Sequence, residues 1–517
     1  MESRSMKTES SQRSEVLYRS TRGAAGLIPA SRAILQGLAP DGGLYVPVKL
    51  PAFDFSLEEL SRKGYREVAY EVMKLLLTDY TEEELKHCID CAYDGKFDTE
   101  EIAPMVKAGD FYYLELFHGA TIAFKDMALS ILPHLMTCAA KKNGVTDEIV
   151  ILTATSGDTG KAALAGFADV PGTRIVVFYP KGGVSAVQEK QMVTQRGINT
   201  KVIGVRGNFD DCQTGVKNIF GDPEMLKSIA KAGFRFSSAN SINIGRLTPQ
   251  VAYYVYAYTR LIAEGKIRDG EKINVTVPTG NFGNILAAYY AKEMGLPIDK
   301  LICASNDNKV LYDFFETGTY DRNRPFILTS SPSMDILISS NLERLIYHVT
   351  GDSTEQNAAF MQQLKQEGKY TLTEEMRRGL SDFAGGYSTE ADTAATIRRV
   401  YEECGYVMDT HTAVAAGVAA EFCAAGEDVG CGTTVGRPMV VISTASPFKF
   451  SRSVVTAIDP SCEGQEDFAL IDKLAELSGR PIPQAIEDIR SAPVLHNTVC
   501  DCAEMANEIK VFLGISK

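Results

Sequence analysis

Residues 148–167 read EIVILTATSGDTGKAALAGF. Glu148 to Ala154 form a nearly unbroken run of apolar, β-favouring residues, and Lys161 to Phe167 are mostly helix formers. Between them Thr155-Ser156-Gly157-Asp158-Thr159-Gly160 brings together the small hydroxyls and glycines of a tight turn. A continuous apolar run, as opposed to an alternating one, marks a strand covered on both faces, as parallel sheets are. Strand, glycine-rich turn and helix together are the repeating unit of an α/β fold. Such folds collect their ligands beyond the C-terminal ends of the strands.

The same rhythm extends in both directions. FYYLELF, TRIVVFYP, TKVIGVRG, KINVTVPTG, KLICASN and PMVVISTA are further strand candidates, with helical patterns such as LTPQVAYYVYAYTRLIAEG between them. The expected architecture over residues 106–460 is therefore α/β, with parallel sheets and right-handed crossovers. Residues 340–400 are polar and helical in pattern, a helical excursion without strand signals. Residues 461–517 are expected to be a helical C-terminal segment. Before the sheets, residues 14–105 form a separate α-rich unit, where Asp41-Gly42-Gly43 signals a turn. Residues 1–13 (MESRSMKTESSQR) are expected to be a disordered tail.

A chain of 517 residues with 45% hydrophobic and 23% charged residues is an ordinary globular composition, divided into two or three domains. Its net charge of -13 disfavours nucleic acid and anionic membrane as partners. Eleven cysteines, odd in number and without scaffold spacing, predict free thiols. With no signal-like or membrane-spanning run, the expected location is cytoplasmic. His87-Cys88-Ile89-Asp90-Cys91 contains a CxxC but lacks a second pair at zinc-ligand spacing, so an amphipathic helix is the reading and no metal is expected.

Three elements carry chemistry. The turn at residues 155–160, opening a helix, suits an anion. It ends in Gly160-Lys161, but a P-loop needs glycine where Thr155 stands and Ser or Thr at Ala162, so a nucleotide reading fails. Pro278-Thr279-Gly280-Asn281-Phe282-Gly283-Asn284 follows KINVTV, and its backbone can curl N–H groups around a phosphate. It lacks the G-x-G step of a dinucleotide fingerprint. Lys125, in FHGATIAFKD, lies among apolar residues, where desolvation would lower its pKa and make it a nucleophile for a Schiff base.

LAPDGGLYVP, FHGATIAFKD, TATSGDTGKAAL, NSINIGRLTPQ, PTGNFGNILAAYYAKEMGLP and STASPFKF occur in this order over some 430 residues. In that set the chain resembles the threonine synthases, fold-type II pyridoxal-phosphate enzymes akin to the tryptophan synthase β chain, in the longer branch with its own N-terminal domain. The resemblance implies two parallel-sheet subdomains and pyridoxal 5'-phosphate as cofactor. Lys125 would carry the cofactor as a Schiff base and shuttle protons. Gly280, Asn281, Phe282, Gly283 and Asn284 would cradle the cofactor phosphate. Thr444 would meet the pyridine nitrogen, its neutral hydroxyl leaving that nitrogen less fully protonated. Asp158 would face the O3′ side. Thr155, Ser156 and Thr159 would bind the substrate carboxylate, and Ser241, Asn243 and Arg246 its phosphate, Arg246 by a bidentate contact.

Two positions depart from the family pattern: Ala120 stands where proline is usual, and Lys161 where a small residue is common. Lys161 would either add a cation beside the substrate phosphate or point to solvent from the helix start. The implied reaction converts O-phospho-L-homoserine and water to L-threonine and phosphate, in a monomer or homodimer. The alternatives are a phospho-lyase releasing 2-oxobutyrate from the same substrate and a non-catalytic protein that binds cofactor or metabolite.

Overall fold

The computed structural model describes residues 15–24, 26–155, 157–184, 186–426 and 437–515. The tail expected over residues 1–13, and Ser156, lie outside the described residues. Near the N-terminus β1 (Leu17–Ser20), β2 (Ile28–Pro29) and β3 (Tyr45–Pro47) form a small antiparallel sheet. The chain then lays down β4 (Met105–Ala108) and β5 (Phe111–Glu115). It crosses to β6 (Glu148–Ala154), β7 (Thr173–Pro180), β8 (Thr200–Arg206) and β9 (Phe234–Ser237). Then follow β10 (Ile273–Pro278), β11 (Ile298–Ser305), β12 (Thr319–Asp321), β13 (Lys369–Thr371), β14 (Phe383–Tyr387), β15 (Met439–Ser443) and β16 (Thr498–Asp501).

Two sheets dominate. One has six strands in the order β14-β11-β10-β15-β5-β4, parallel except for the antiparallel β4–β5 pair. The other has five, in the order β16-β8-β7-β6-β9, all parallel. Every residue of β10 and of β15 is buried, as the continuous apolar runs predict for strands covered on both faces. The α/β, parallel-sheet expectation therefore holds.

The helix Ile244–Ala263 follows β9 and is enclosed nearly all round, with Tyr253, Tyr254, Tyr256 and Tyr258 buried. A helix hydrophobic on every side must be enclosed, and part of its cover comes from the N-terminal region. The helix Tyr65–Leu76 lays Val68, Ala69, Val72 and Met73 into the same buried cluster as Leu247, Val251 and Tyr256. The Tyr65 and Tyr256 rings meet edge to face at 5.3 Å. Residues 14–105 therefore dock on the α/β part through a continuous apolar cluster. Their apolar stripe has nowhere to go except onto the central helix.

Three expectations need correction. Residues 340–400 are not a helical excursion: β13 pairs with β12, and β14 closes an edge of the six-stranded sheet. β14 reads FAGGY, and a Cβ on Gly386 would lie 2.3 Å from Val418 Cγ1. The glycine that removes the strand signal is what lets the covering helix approach. Residues 461–517 are mostly helical, but Thr498–Asp501 adds to β8 as a parallel edge strand, too short to signal itself. The CxxC segment is indeed part of a helix, Glu82–Ala92, with Leu85, Cys88 and Ile89 buried and Thr81 and Glu84 capping its start. Cys423 is disulfide-bonded, so the expectation of free thiols fails at that position. Among the described residues, no helix is long and apolar enough to cross a membrane.

Candidate functional site

Five of the six motifs follow the C-terminal ends of strands: β5, β6, β9, β10 and β15. Parallel sheets point those ends one way, so side chains far apart in sequence converge. The convergence is physical at Lys125 and Thr444. Phe124 N donates to the Thr444 carbonyl at 2.7 Å, Ser446 N to the Ile122 carbonyl at 3.0 Å, and Lys449 Nζ to the Thr121 carbonyl at 3.0 Å. The turn before Lys125 is held from within by buried Asp126, which accepts from Thr121 N at 2.7 Å and Thr121 Oγ1 at 2.6 Å. Ile122 sits at φ +51°, an uncommon setting for a β-branched residue, held here by these bonds.

Lys125 is buried at the start of a short helix, Asp126–Leu129. Its Nζ donates to Ser333 Oγ at 2.9 Å and lies 3.6 Å from Asp158 Oδ2. Burial lowers its pKa against the pull of Asp158, and the Lys449 and Arg246 cations lower it further. Asp158 opens the helix Asp158–Phe167 and is also buried. It accepts from Gln188 Nε2 at 2.9 Å and Ser333 Oγ at 3.2 Å, and Lys449 Nζ stands 3.2 Å from Oδ1. Burial would raise its pKa, but Lys449 and Lys125 outweigh that and hold the carboxyl far below its usual range.

Thr155 is buried and its Oγ1 accepts from Gly157 N at 3.0 Å and Gly160 N at 2.9 Å, fixing the turn. Gly157 has φ +137°, and a Cβ there would strike Gln188 at 2.6 Å. Thr159 is partly exposed beside it. Lys161 does not reach out to solvent. It is partly buried, donates to Gln195 Oε1 at 2.6 Å, and burial brings it down to about 8.

The turn at Gly280–Asn284 is shaped by its carbonyls. Ser339 Oγ donates to the Gly280 carbonyl at 2.7 Å, and Asn341 N and Nδ2 donate to that of Asn281 at 3.1 and 2.9 Å. In a planar trans peptide N–H and C=O point opposite ways, so the N–H groups of Asn281 and Phe282 face away from those anchors. Phe282 takes the left-handed conformation at φ +63°. Asn284 Oδ1 accepts from Tyr253 and Tyr254 hydroxyls at 2.5 and 2.6 Å, while its buried Nδ2 has no partner. Gly280 backs onto Ser333, whose carbonyl would lie 2.4 Å from a Cβ at that position. Through Ser333 the cradle and Lys125 belong to one site.

Arg246 lies in the first turn of the central helix, buried. Its Nη1 donates to the Ala239 carbonyl at 3.2 Å and its Nε has no partner. Burial brings it down to about 10. Ser241 stands partly exposed in the loop before it. Asn243 is spent on the fold: Oδ1 caps Gly245 N at 2.9 Å, and Nδ2 donates to the carbonyls of Ile34 and Ser238 at 3.0 and 3.1 Å. The expectation that Asn243 grips phosphate is thus not what this geometry supports, because both of its amide hydrogens are committed. It shapes the loop that presents Arg246.

Sequence reasoning passed over Lys449, Gln188, Ser333 and His411. Ser333 N donates to His411 Nε2 at 3.1 Å, so that nitrogen offers its lone pair and Nδ1–H donates to Asp409 at 2.6 Å. Lys449 had a signal, a lysine inside the apolar FKF of STASPFKF. Ser333, in TSSPSMD, had none beyond its turn residues.

Three family models match the chain. They are Threonine synthase N terminus over residues 17–93, Pyridoxal-phosphate dependent enzyme over residues 99–434, and Threonine synthase, C-terminal over residues 412–497. Threonine synthase of Saccharomyces cerevisiae is 36% identical over 472 residues, 86% of this chain and 89% of the yeast protein. Human threonine synthase-like 1 is 39% identical over 441 residues, 83% of this chain, and the match spans 58% of that relative's length. The structure of PLP-bound threonine synthase from Brucella melitensis aligns with a TM-score of 0.84 and 37% identity, covering 96% of this chain and 98% of that one. The yeast threonine synthase structure gives 0.85 and 32%, covering 96% and 99%. The cofactor is pyridoxal phosphate, and the residues present fit it: a desolvated lysine, a curled N–H turn and a buried amide donor left without an acceptor. The chain belongs to the threonine synthase family of pyridoxal-phosphate-dependent enzymes.

Proposed function

We propose that this chain converts O-phospho-L-homoserine and water to L-threonine and phosphate. The observation that carries the reading is Arg246, a buried guanidinium with an unpartnered Nε and only a carbonyl on Nη1. A buried cation without a carboxylate is costly unless a ligand supplies the charge. A dianionic phosphate leaving group supplies it.

Lys125 would hold the cofactor aldehyde, and Gly280 to Asn284 would take its phosphate, with Asn284 Nδ2 as the side-chain donor. Thr444, next to the backbone that pins Lys125, would meet the ring nitrogen, and Asp158 would face the O3′ side. When bound, pyridoxal phosphate supplies a conjugated electron sink that makes the substrate Cα proton removable. The amine of Lys125 would act as the base at Cα and at Cβ. Burial lowers its pKa, which favours the neutral amine that a base requires. Thr155, Ser156 and Thr159 orient the substrate carboxylate, so that the Cα–H bond faces Lys125. Arg246, with Ser241, receives charge as phosphate leaves Cγ, an electrostatic stabilisation that grows along the reaction. Lys161 is half-buried and bonded to Gln195, and we place it behind the turn, outside phosphate contact. One of the two abstracted protons is delivered to Cγ, completing the methyl group. Water then adds its hydroxyl at Cβ and leaves its proton to the released phosphate, and Lys125 returns the other proton to Cα.

The test is incubation of the purified protein with O-phospho-L-homoserine, quantifying threonine, 2-oxobutyrate and phosphate together. Threonine equal to phosphate supports the synthase reaction. Oxobutyrate equal to phosphate identifies a phospho-lyase, and no phosphate sinks the substrate assignment.

A further inference from the structure

Two lysines share one buried carboxylate. Lys449 Nζ lies 3.2 Å from Asp158 Oδ1, and Lys125 Nζ lies 3.6 Å from Oδ2. The two ammonium groups are not held alike. Lys449 has a fully buried side chain and also donates to the Thr121 carbonyl at 3.0 Å, so its charge meets both a carboxylate and a carbonyl dipole. Besides Asp158, Lys125 meets the neutral hydroxyl of Ser333 at 2.9 Å and the Phe124 ring at 5.4 Å from its centroid, neither of them a charge. Arg246 adds a further positive charge on the same side.

Two lysines and one carboxylate carry a net charge of +1, enclosed where water cannot screen it. Losing one proton relieves that charge, and the group with fewer acceptors gives it up. From this geometry we infer that Lys449 is the fixed counter-ion of Asp158, a positioning residue that leaves Lys125 as the neutral, reactive amine. The inference rests on the reading of Lys125 as the cofactor-binding lysine. It assigns to STASPFKF a second task besides Thr444, one that works through Asp158 and not by contact with substrate.

The charged groups facing this pair come from several elements. Asp158 lies at the start of the helix after β6 and also interacts with His411, Arg246 lies on the central helix, and Asp126 and Lys161 interact with Lys449. Asp126 is raised by burial, and Thr121 donates to both its oxygens. Lys161 is a cation itself. Neither can replace Lys449 at Asp158. With Lys449 removed, Asp158 turns wholly to Lys125 and holds its proton.

The experiment uses cofactor-free protein and pyridoxal phosphate as the probe. Schiff-base formation is followed across pH, trapped with borohydride, and the modified lysine located by peptide mass spectrometry. In the unaltered protein the label falls on Lys125. In Lys449→Met the pH midpoint of labelling at Lys125 rises by a unit or more, so labelling at neutral pH slows about tenfold or more. Lys449→Arg restores the midpoint, since the charge is kept. Lys449→Gln, which keeps a donor for Thr121, carries the same prediction as Met if Met does not fold. A midpoint unchanged in folded Met or Gln variants, with Lys125 still labelled, overturns the inference and leaves the cofactor reading standing. Label on another lysine in the unaltered protein overturns both.

Discussion

Arg246 and Arg344 are both buried arginines with no carboxylate bond, and burial brings each down to about 10. Their donors are used differently. Arg344 gives Nε to the Tyr45 carbonyl at 2.9 Å, Nη2 to the Ile242 carbonyl at 2.6 Å and Nη1 to Asn341 Oδ1. It ties β3, the loop before Arg246 and the backbone that holds the Gly280–Asn284 turn. Arg246 spends one contact on Ala239 and leaves Nε free. A buried guanidinium whose donors are spent on the protein belongs to the fold. One with donors in reserve awaits an anion.

The comparison breaks first at Arg344. Arg344→Met leaves three buried acceptors without donors, and urea denaturation should show a loss of about 3 kcal/mol or more. Arg246→Met should leave the unfolding midpoint of the cofactor-free protein unchanged or raised, because it removes an uncompensated buried charge. Its kcat/KM on O-phospho-L-homoserine should instead fall by roughly 10- to 150-fold, the equivalent of about 1.5–3 kcal/mol for a charge-assisted bond. If both variants lose stability alike, the distinction between the two arginines is wrong.

His118 sharpens the comparison, as a partly buried cation that does have its acids. Its Nδ1 lies 2.5 Å from Asp98 and its Nε2 3.0 Å from Glu115, whose Oε1 also meets Tyr406 and Arg480. Burial alone would lower its pKa, but the two carboxylates push it up to about 9. A folded pKa above the unfolded 6.5 means stability that is fully present below about pH 6.5. That stability is lost as pH rises through about 9. Denaturation of the unaltered protein and of His118→Gln should therefore differ by on the order of 2 kcal/mol at pH 6 and converge by pH 10. A difference that persists to pH 10 would mean the ring acts by packing alone.

The comparison also marks what a sequence can show. The strands were legible because both faces are covered, so EIVILTA and KINVTVP are continuous apolar runs. The turns were legible because phosphate sites need glycine and small polar residues in a fixed order. Arg344 was not: in LERLIYHV a lone arginine reads as the exposed side of an amphipathic helix, and its three acceptors lie on distant segments. Ser333 meets Lys125 across 208 positions and Lys449 meets Thr121 across 328, pairings fixed by sheet order and by no local pattern. The N-terminal domain was legible because it has its own strands and helices. That its apolar stripe is buried against the central helix is a tertiary fact.

The smallest expected effect isolates the reserve donor of Arg246 from catalysis altogether. In the cofactor-loaded protein the cradle is filled, so inorganic phosphate can report on the second anion site alone. At ten times its Kd, phosphate should stabilise the unaltered protein by about 1.4 kcal/mol, read as a rise in the thermal midpoint. Arg344→Lys should keep that rise from a lower baseline, since its side chain never faces the ligand. Arg246→Met should lose it. The sign of the baseline is as telling as the size of the shift. Removing an arginine that awaits an anion costs the protein little until the anion arrives, so baseline and phosphate response should move independently. If phosphate still stabilised the Arg246→Met protein fully, the anion would be held elsewhere. Arg246 would then be a second Arg344, a buried cation belonging to the fold.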